Sequence, residues 1–163
     1  MAEGEDRLGR PAAVCFALGG VGLFAAMAVD FLSVVSRHIG LPFAGAIEIV
    51  QVCVVIAASA ALVGATLAGT HAAVHVITER LPAGPRRVLA RLAALLATVF
   101  FAGLAVGGLW LLSDTLPGDE RTDLLHLPLA PLRVLWCVAC AAAALLFLVQ
   151  VFRPKPAEAV LEP

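Results

Sequence analysis

Four uncharged apolar runs, Pro11 to Val29, Ile49 to Thr70, Leu92 to Ser113 and Val134 to Phe152, constrain this chain more than anything else in it. A helix rises about 1.5 Å per residue and the hydrocarbon of a bilayer is about 30 Å thick, so a spanning helix takes about 20 mostly apolar residues. Each run meets that length and extends a few residues past a flanking charge, which places helices near 11–35, 43–68, 88–112 and 129–152. With 61% of residues hydrophobic, 14% charged and a mean hydropathy of +0.99, a water-soluble fold has nowhere to hide the apolar surface. The expected fold class is an all-α integral membrane protein of four transmembrane helices, a single domain over 11–152 between polar tails at 1–10 and 153–163.

The first helix is expected to stay in the mature protein, because its leader is acidic as well as basic and its apolar run exceeds that of a signal peptide. Orientation follows from Lys and Arg in the short flanks. Arg7, Arg10, Arg80, Arg86, Arg87, Arg91, Arg153 and Lys155 fall on one side, and only Arg37, Arg121 and Arg133 on the other. Positive charge favours the cytoplasmic face, so both termini and the middle connection are expected there, with the loops near 36–42 and 113–128 outside. Between the second and third spans, His71, His75, Thr78 and Glu79 share one helical face while Ala73, Val74, Ile77 and Leu81 share the other. That pattern suits a short amphipathic helix lying in the interface, ended by Pro82 and Pro85.

Chemistry-bearing motifs are few. A net charge of −1, with a single Lys155 beside ten arginines, gives no basic field for nucleic acid. Cys137 and Cys140 form a C-x-x-C, the pair used by membrane thiol oxidoreductases, but such enzymes exchange disulfides through a second pair in a loop, and neither outer loop has a cysteine. With Cys15 and Cys53, also in apolar stretches, they read as small buried hydrophobes. His71, His75 and Glu79 supply a ligand set that transition metals accept, yet the same triplet arises on any wet helical face, and a membrane haem needs histidines on facing helices inside the bilayer. No metal or other cofactor is expected. There is no phosphate-cradling G-x-x-x-x-G-K-[ST], no nucleophile elbow and no H-E-x-x-H, so no enzyme is expected. Four helices without broken, Gly/Pro-interrupted pairs also make a poor self-sufficient carrier, which favours an accessory role.

Asp30, Glu48 and Arg133 each lie about five residues inside the outer end of their expected helix, with Arg37 just above. Two arrangements are open: a paired polar layer, or separate charges snorkelling to the interface. Gly103-x-x-x-Gly107 on the third helix, and alanines at 57, 58, 60, 61 and 141–144, allow close backbone approach. They serve either packing within the bundle or docking onto a larger membrane partner. The acidic stretch from Asp114 to His126 is open to a soluble partner outside.

Taken in order, Glu48 opening the second helix, Gly64-Ala65 late in it, His71, Val74, then Leu81-Pro82 with Arg86-Arg87, and Leu127-Pro128 before the fourth helix resemble the small permease (Q) subunit of tripartite ATP-independent periplasmic (TRAP) transporters. The likeness covers most of the chain. It departs at His75, where an aspartate is usual, and before Glu48, where the usual aromatic residues reduce to Phe43. The resemblance implies a subunit in a bacterial inner membrane that braces a large permease and helps dock a periplasmic substrate-binding protein, for sodium-driven uptake of organic acids. On this reading the partner-facing residues are Asp30, Arg37, Glu48, His71, Gly103, Gly107 and Arg133. The competing classes are a four-helix membrane redox protein, thiol/quinone or haem, and a membrane protein that self-associates through Gly103 and Gly107.

Overall fold

The computed structural model describes residues 3–68, 83–115, 118 and 120–152. Four helices make up nearly all of it: α1 (Glu3–His38), α2 (Ala46–Ala68), α3 (Ala83–Thr115) and α4 (Ala130–Phe152). Within them the stretches Gly9–His38, Ala46–Ala68, Val88–Thr115 and Ala130–Phe152 are each long and apolar enough to cross a membrane, with mean hydropathy between 2.2 and 2.5. Among the described residues there is no strand, only an isolated antiparallel bridge between Arg121 and Pro128. The expected interfacial helix at 71–81 and the tail at 153–163 lie outside the described residues.

The helix ends differ from the expected ones in an instructive way. α1 begins well before Pro11 and α3 begins at Ala83, because polar residues such as Glu3 to Arg10 carry backbone hydrogen bonds as well as apolar ones do. Counting apolar residues finds the membrane crossing, not the end of the hydrogen-bond ladder. α1 stops for a local reason. The Leu41 N–H donates to the Ser36 carbonyl at 2.9 Å and the Gly40 N–H to that of Arg37 at 3.3 Å, with Gly40 at φ +78°. This is the Schellman arrangement, whose left-handed residue is favoured as glycine because it has no Cβ to strain. Pro42 follows and cannot restart the helix early.

The helices pack in the order α1–α2–α4–α3, each leaning on the next, so that α1 and α3 are the outer members. The α1–α2 contact is a seam of small side chains. Ala12, Cys15, Gly19, Gly22 and Ala26 recur at spacings of three and four, and face Cys53, Ala57, Ala61 and Gly64. A Cβ added to Gly22 would lie 3.1 Å from the Cys53 carbonyl oxygen, and one on Gly64 3.0 Å from the Cys15 Cβ. Lipid tails are as apolar as leucine, so helices in a bilayer adhere through such close backbone approach and not through hydrophobic exclusion. α3 buries Ala94, Ala105 and Leu112, and α4, which packs on both α2 and α3, buries Cys137, Cys140, Ala143, Ala144 and Phe147. Between α3 and α4 the rings of Phe101 and Phe147 stack, with centroids 5.7 Å apart. Gly108 leaves room for the Cys137 sulfur.

Outside these seams the surface is apolar. Phe24, Trp110 and Phe152 are each about three-quarters exposed, and Val21, Phe31, Leu96 and Val106 nearly as much. Water does not tolerate so continuous an apolar exterior, and lipid does. This is a multi-pass membrane protein.

Candidate functional site

Among the described residues, the side chains that bond across the fold gather at one end of the helices, around the connection from α3 to α4. Its second half closes on itself. The Leu129 N–H donates to the Glu120 carbonyl at 3.1 Å, the Thr122 N–H to that of Leu127 at 3.0 Å, and the Leu127 N–H to the Thr122 hydroxyl at 3.0 Å. His126 sits at the bend with φ +55°, a left-handed value that histidine, asparagine and aspartate adopt more readily than other side chains.

Two charged residues hold this loop against the helices. Glu48, in the first turn of α2, is buried with 6% of its surface exposed. Its Oε1 accepts the Leu124 N–H at 2.7 Å and its Oε2 the Leu125 N–H at 2.8 Å. One carboxylate oxygen for each of two adjacent amides satisfies donors that an irregular loop otherwise leaves unpaired. Gly45, one turn earlier, makes the fit possible: a Cβ there would come within 2.8–3.0 Å of the Leu125 side chain. From α4, Arg133 Nη2 pairs with Glu120 Oε2 at 2.8 Å, and its Nη1 donates to the Thr115 hydroxyl. Thr115 in turn donates to the Leu111 carbonyl at 2.9 Å, so the end of α3 is tied in as well.

The seven residues expected to face partners are therefore placed unequally. Glu48 and Arg133 both serve the loop, but no ion pair joins them to each other among the described residues. Helix counting gave them similar depth and could not give them partners, which lie in a segment without periodicity. Asp30 and Arg37 are exposed on α1 with no ion pair among the described residues. Gly103 and Gly107 do not pack within the chain: an added Cβ at either would meet nothing within 4 Å. With Gln51, Leu132, Arg133 and Trp136 they line an open, mainly apolar groove of about 550 Å³ between α2 and α3, floored by α4. His71 lies outside the described residues.

Glu120 reads from the sequence only as part of an acidic outer loop, and Thr115, Gly45 and the amides of Leu124 and Leu125 do not stand out at all, since nothing in a loop's composition reveals which amides a distant carboxylate will bind. The Gly19–Gly22 seam was missed too, although its spacing of three and four was there to be read. The four cysteines form no disulfide; Cys137 and Cys140 are buried, Cys137 against Gly108 of α3.

Residues 13–155 match the protein family described as tripartite ATP-independent periplasmic transporters, DctQ component. No curated protein and no solved structure matches the chain.

Proposed function

The chain belongs to the DctQ-component family of tripartite ATP-independent periplasmic transporters, and we propose that it braces the large permease of such a transporter and helps dock its periplasmic substrate-binding protein. In this reading the complex takes up organic acids with sodium ions, in a bacterial inner membrane. The observation that carries it is the extent of the family match, which takes in α2, α3 and α4 whole and most of α1. The family is one of transporter components, not of enzymes.

Two features support the finer parts. The unburied apolar faces of α1 and α3 give a membrane-embedded partner wide surfaces on which to lie. The loop over 120–129, fixed by Glu48 and Arg133, offers a soluble protein a surface already in shape, which lowers the ordering cost of binding. Eight Lys and Arg on one side against three on the other support placing this loop in the periplasm and both termini in the cytoplasm.

The test is reconstitution of the chain with its cognate large permease and binding protein in vesicles under a sodium gradient. The chain should copurify with the permease, and leaving it out should abolish uptake. A permease that accumulates and transports at the parental rate without this chain refutes the proposal.

A further inference from the structure

α1 carries a second face that no helix among the described residues covers. Gly20, Leu23, Met27, Asp30, Val34 and Arg37 recur at spacings of three and four, beside the seam that packs on α2, and all are exposed. Spacing of this kind aligns side chains along one helical edge, the geometry by which two helices lie side by side in a bilayer.

Asp30 makes this face more than an apolar surface suited to lipid. It lies six to seven residues from the midpoint of the span Gly9–His38, which at 1.5 Å per residue is about 10 Å, while the half-thickness of the hydrocarbon is about 15 Å. A span of 30 residues is longer than the hydrocarbon is thick, and any tilt that accommodates it brings Asp30 nearer the midplane. Its side chain is too short to snorkel out as a lysine or arginine does. An acidic group on a lipid-facing surface at that depth is costly, and acidic residues in spans almost always face protein or water and have a partner. Within the described residues Asp30 has none.

We infer that this face of α1 is the seam for a transmembrane helix of the large permease, and that this helix presents a basic side chain to Asp30. Gly20 sits nearly three turns deeper with nothing within 4 Å of an added Cβ, which leaves the partner backbone room to approach. Arg37, two turns beyond Asp30 toward the helix end, gives the face an acidic and then a basic group in that order. A partner with the opposite order is accepted and a reversed one is repelled, so the pair sets register as well as affinity. The inference rests on the proposed membership of a complex with a large permease and adds which surface makes the contact.

The test uses the chain coexpressed with its permease. Asp30→Leu should leave the unfolding midpoint of the isolated chain unchanged and lower the yield of heteromer by roughly threefold to tenfold, the range of paired groups between membrane helices. Asp30→Lys should lower it further, and Asp30→Glu should restore most of it. Independently, Met27→Cys in a chain whose native cysteines are replaced should crosslink to the permease. Parental heteromer yield from Asp30→Leu overturns the pairing of Asp30, and absence of the crosslink in an intact heteromer overturns the face. If the parental chain fails to copurify with the permease, the proposed function itself falls and this inference with it. That result is seen before any variant is made.

Discussion

Alanine at Gly22, set against alanine at Gly103, measures how closely α1 and α2 are pressed together. At Gly22 the new Cβ would lie 3.1 Å from the Cys53 carbonyl oxygen, 3.2 Å from the Ala57 Cβ and 3.3 Å from the Ala57 nitrogen. Two of those atoms are helix backbone, which cannot swing aside as a side-chain tip can, so the helices must part by a few tenths of an ångström. Overpacking of this sort costs about 1–3 kcal/mol. Replacing an interior helical glycine by alanine also returns about 0.5–1 kcal/mol of backbone entropy. At Gly103 nothing lies within 4 Å of the added Cβ, so only the favourable part remains. Because the same exchange is made at two helical sites, the entropy gain cancels in the difference. Gly22→Ala should therefore be less stable than Gly103→Ala by about 1–3 kcal/mol. Reversible unfolding of the purified chain in mixed micelles, titrated with SDS, reads that difference. Equal stability of the two variants would refute both the tight α1–α2 seam and the open face at Gly103.

Other expectations concern the loops and the cysteines. Gly40→Ala, which forces a Cβ into the left-handed end of α1, should cost about 1–2 kcal/mol in the same titration, and no loss would mean the helix ends otherwise. Glu48→Gln leaves one acceptor oxygen for two amides, so the peptide over 120–129 should exchange its amide hydrogens about tenfold faster by mass spectrometry. Unchanged exchange would show that the carboxylate is not what holds the loop. Replacing Cys15, Cys53, Cys137 and Cys140 together by alanine should leave uptake near the parental rate, at no more than about 2 kcal/mol per site. A well-inserted but inactive variant would restore the thiol reading. Reporter fusions after Leu81 and after Phe152 should register the cytoplasm and one near Gly118 the periplasm, and the reverse pattern would remove the loop from any periplasmic partner.

The crossings were legible because the bilayer imposes a length and an apolar composition, and both are written directly in the residues from Ile49 to Thr70 or Val134 to Phe152. What lay beyond reach was direction around each helix. Gly103 and Gly107 have the spacing of a packing motif, but a motif does not say whether it faces a neighbour, and here it faces open space. Gly19, Gly22 and Gly64 make the contacts instead, and only the match of two helices' periodicities distinguishes them. Glu48 and Arg133 were recognisable as charges inside their helices, either paired or snorkelling to the interface. Their actual partners, two amides and Glu120, depend on how an irregular loop returns over α2, and that path is set by tertiary fit and the bend at His126, not by local propensity.

Because α1 leans on α2, α3 on α4, and the halves touch chiefly through α2 and α4, the molecule is two helical hairpins, each made from neighbours in sequence. Such a layout suits delivery into a membrane one pair at a time. The first hairpin can zip its glycine seam while the second is still being made, and neither waits for a distant segment to close a ring. The contact that joins the two hairpins, between α2 and α4, involves the same two helices from which Glu48 and Arg133 secure the loop. Glu48, by accepting the Leu124 and Leu125 amides, is thus a tie between the start of the first hairpin's second helix and the connection within the second hairpin, across more than seventy residues of sequence.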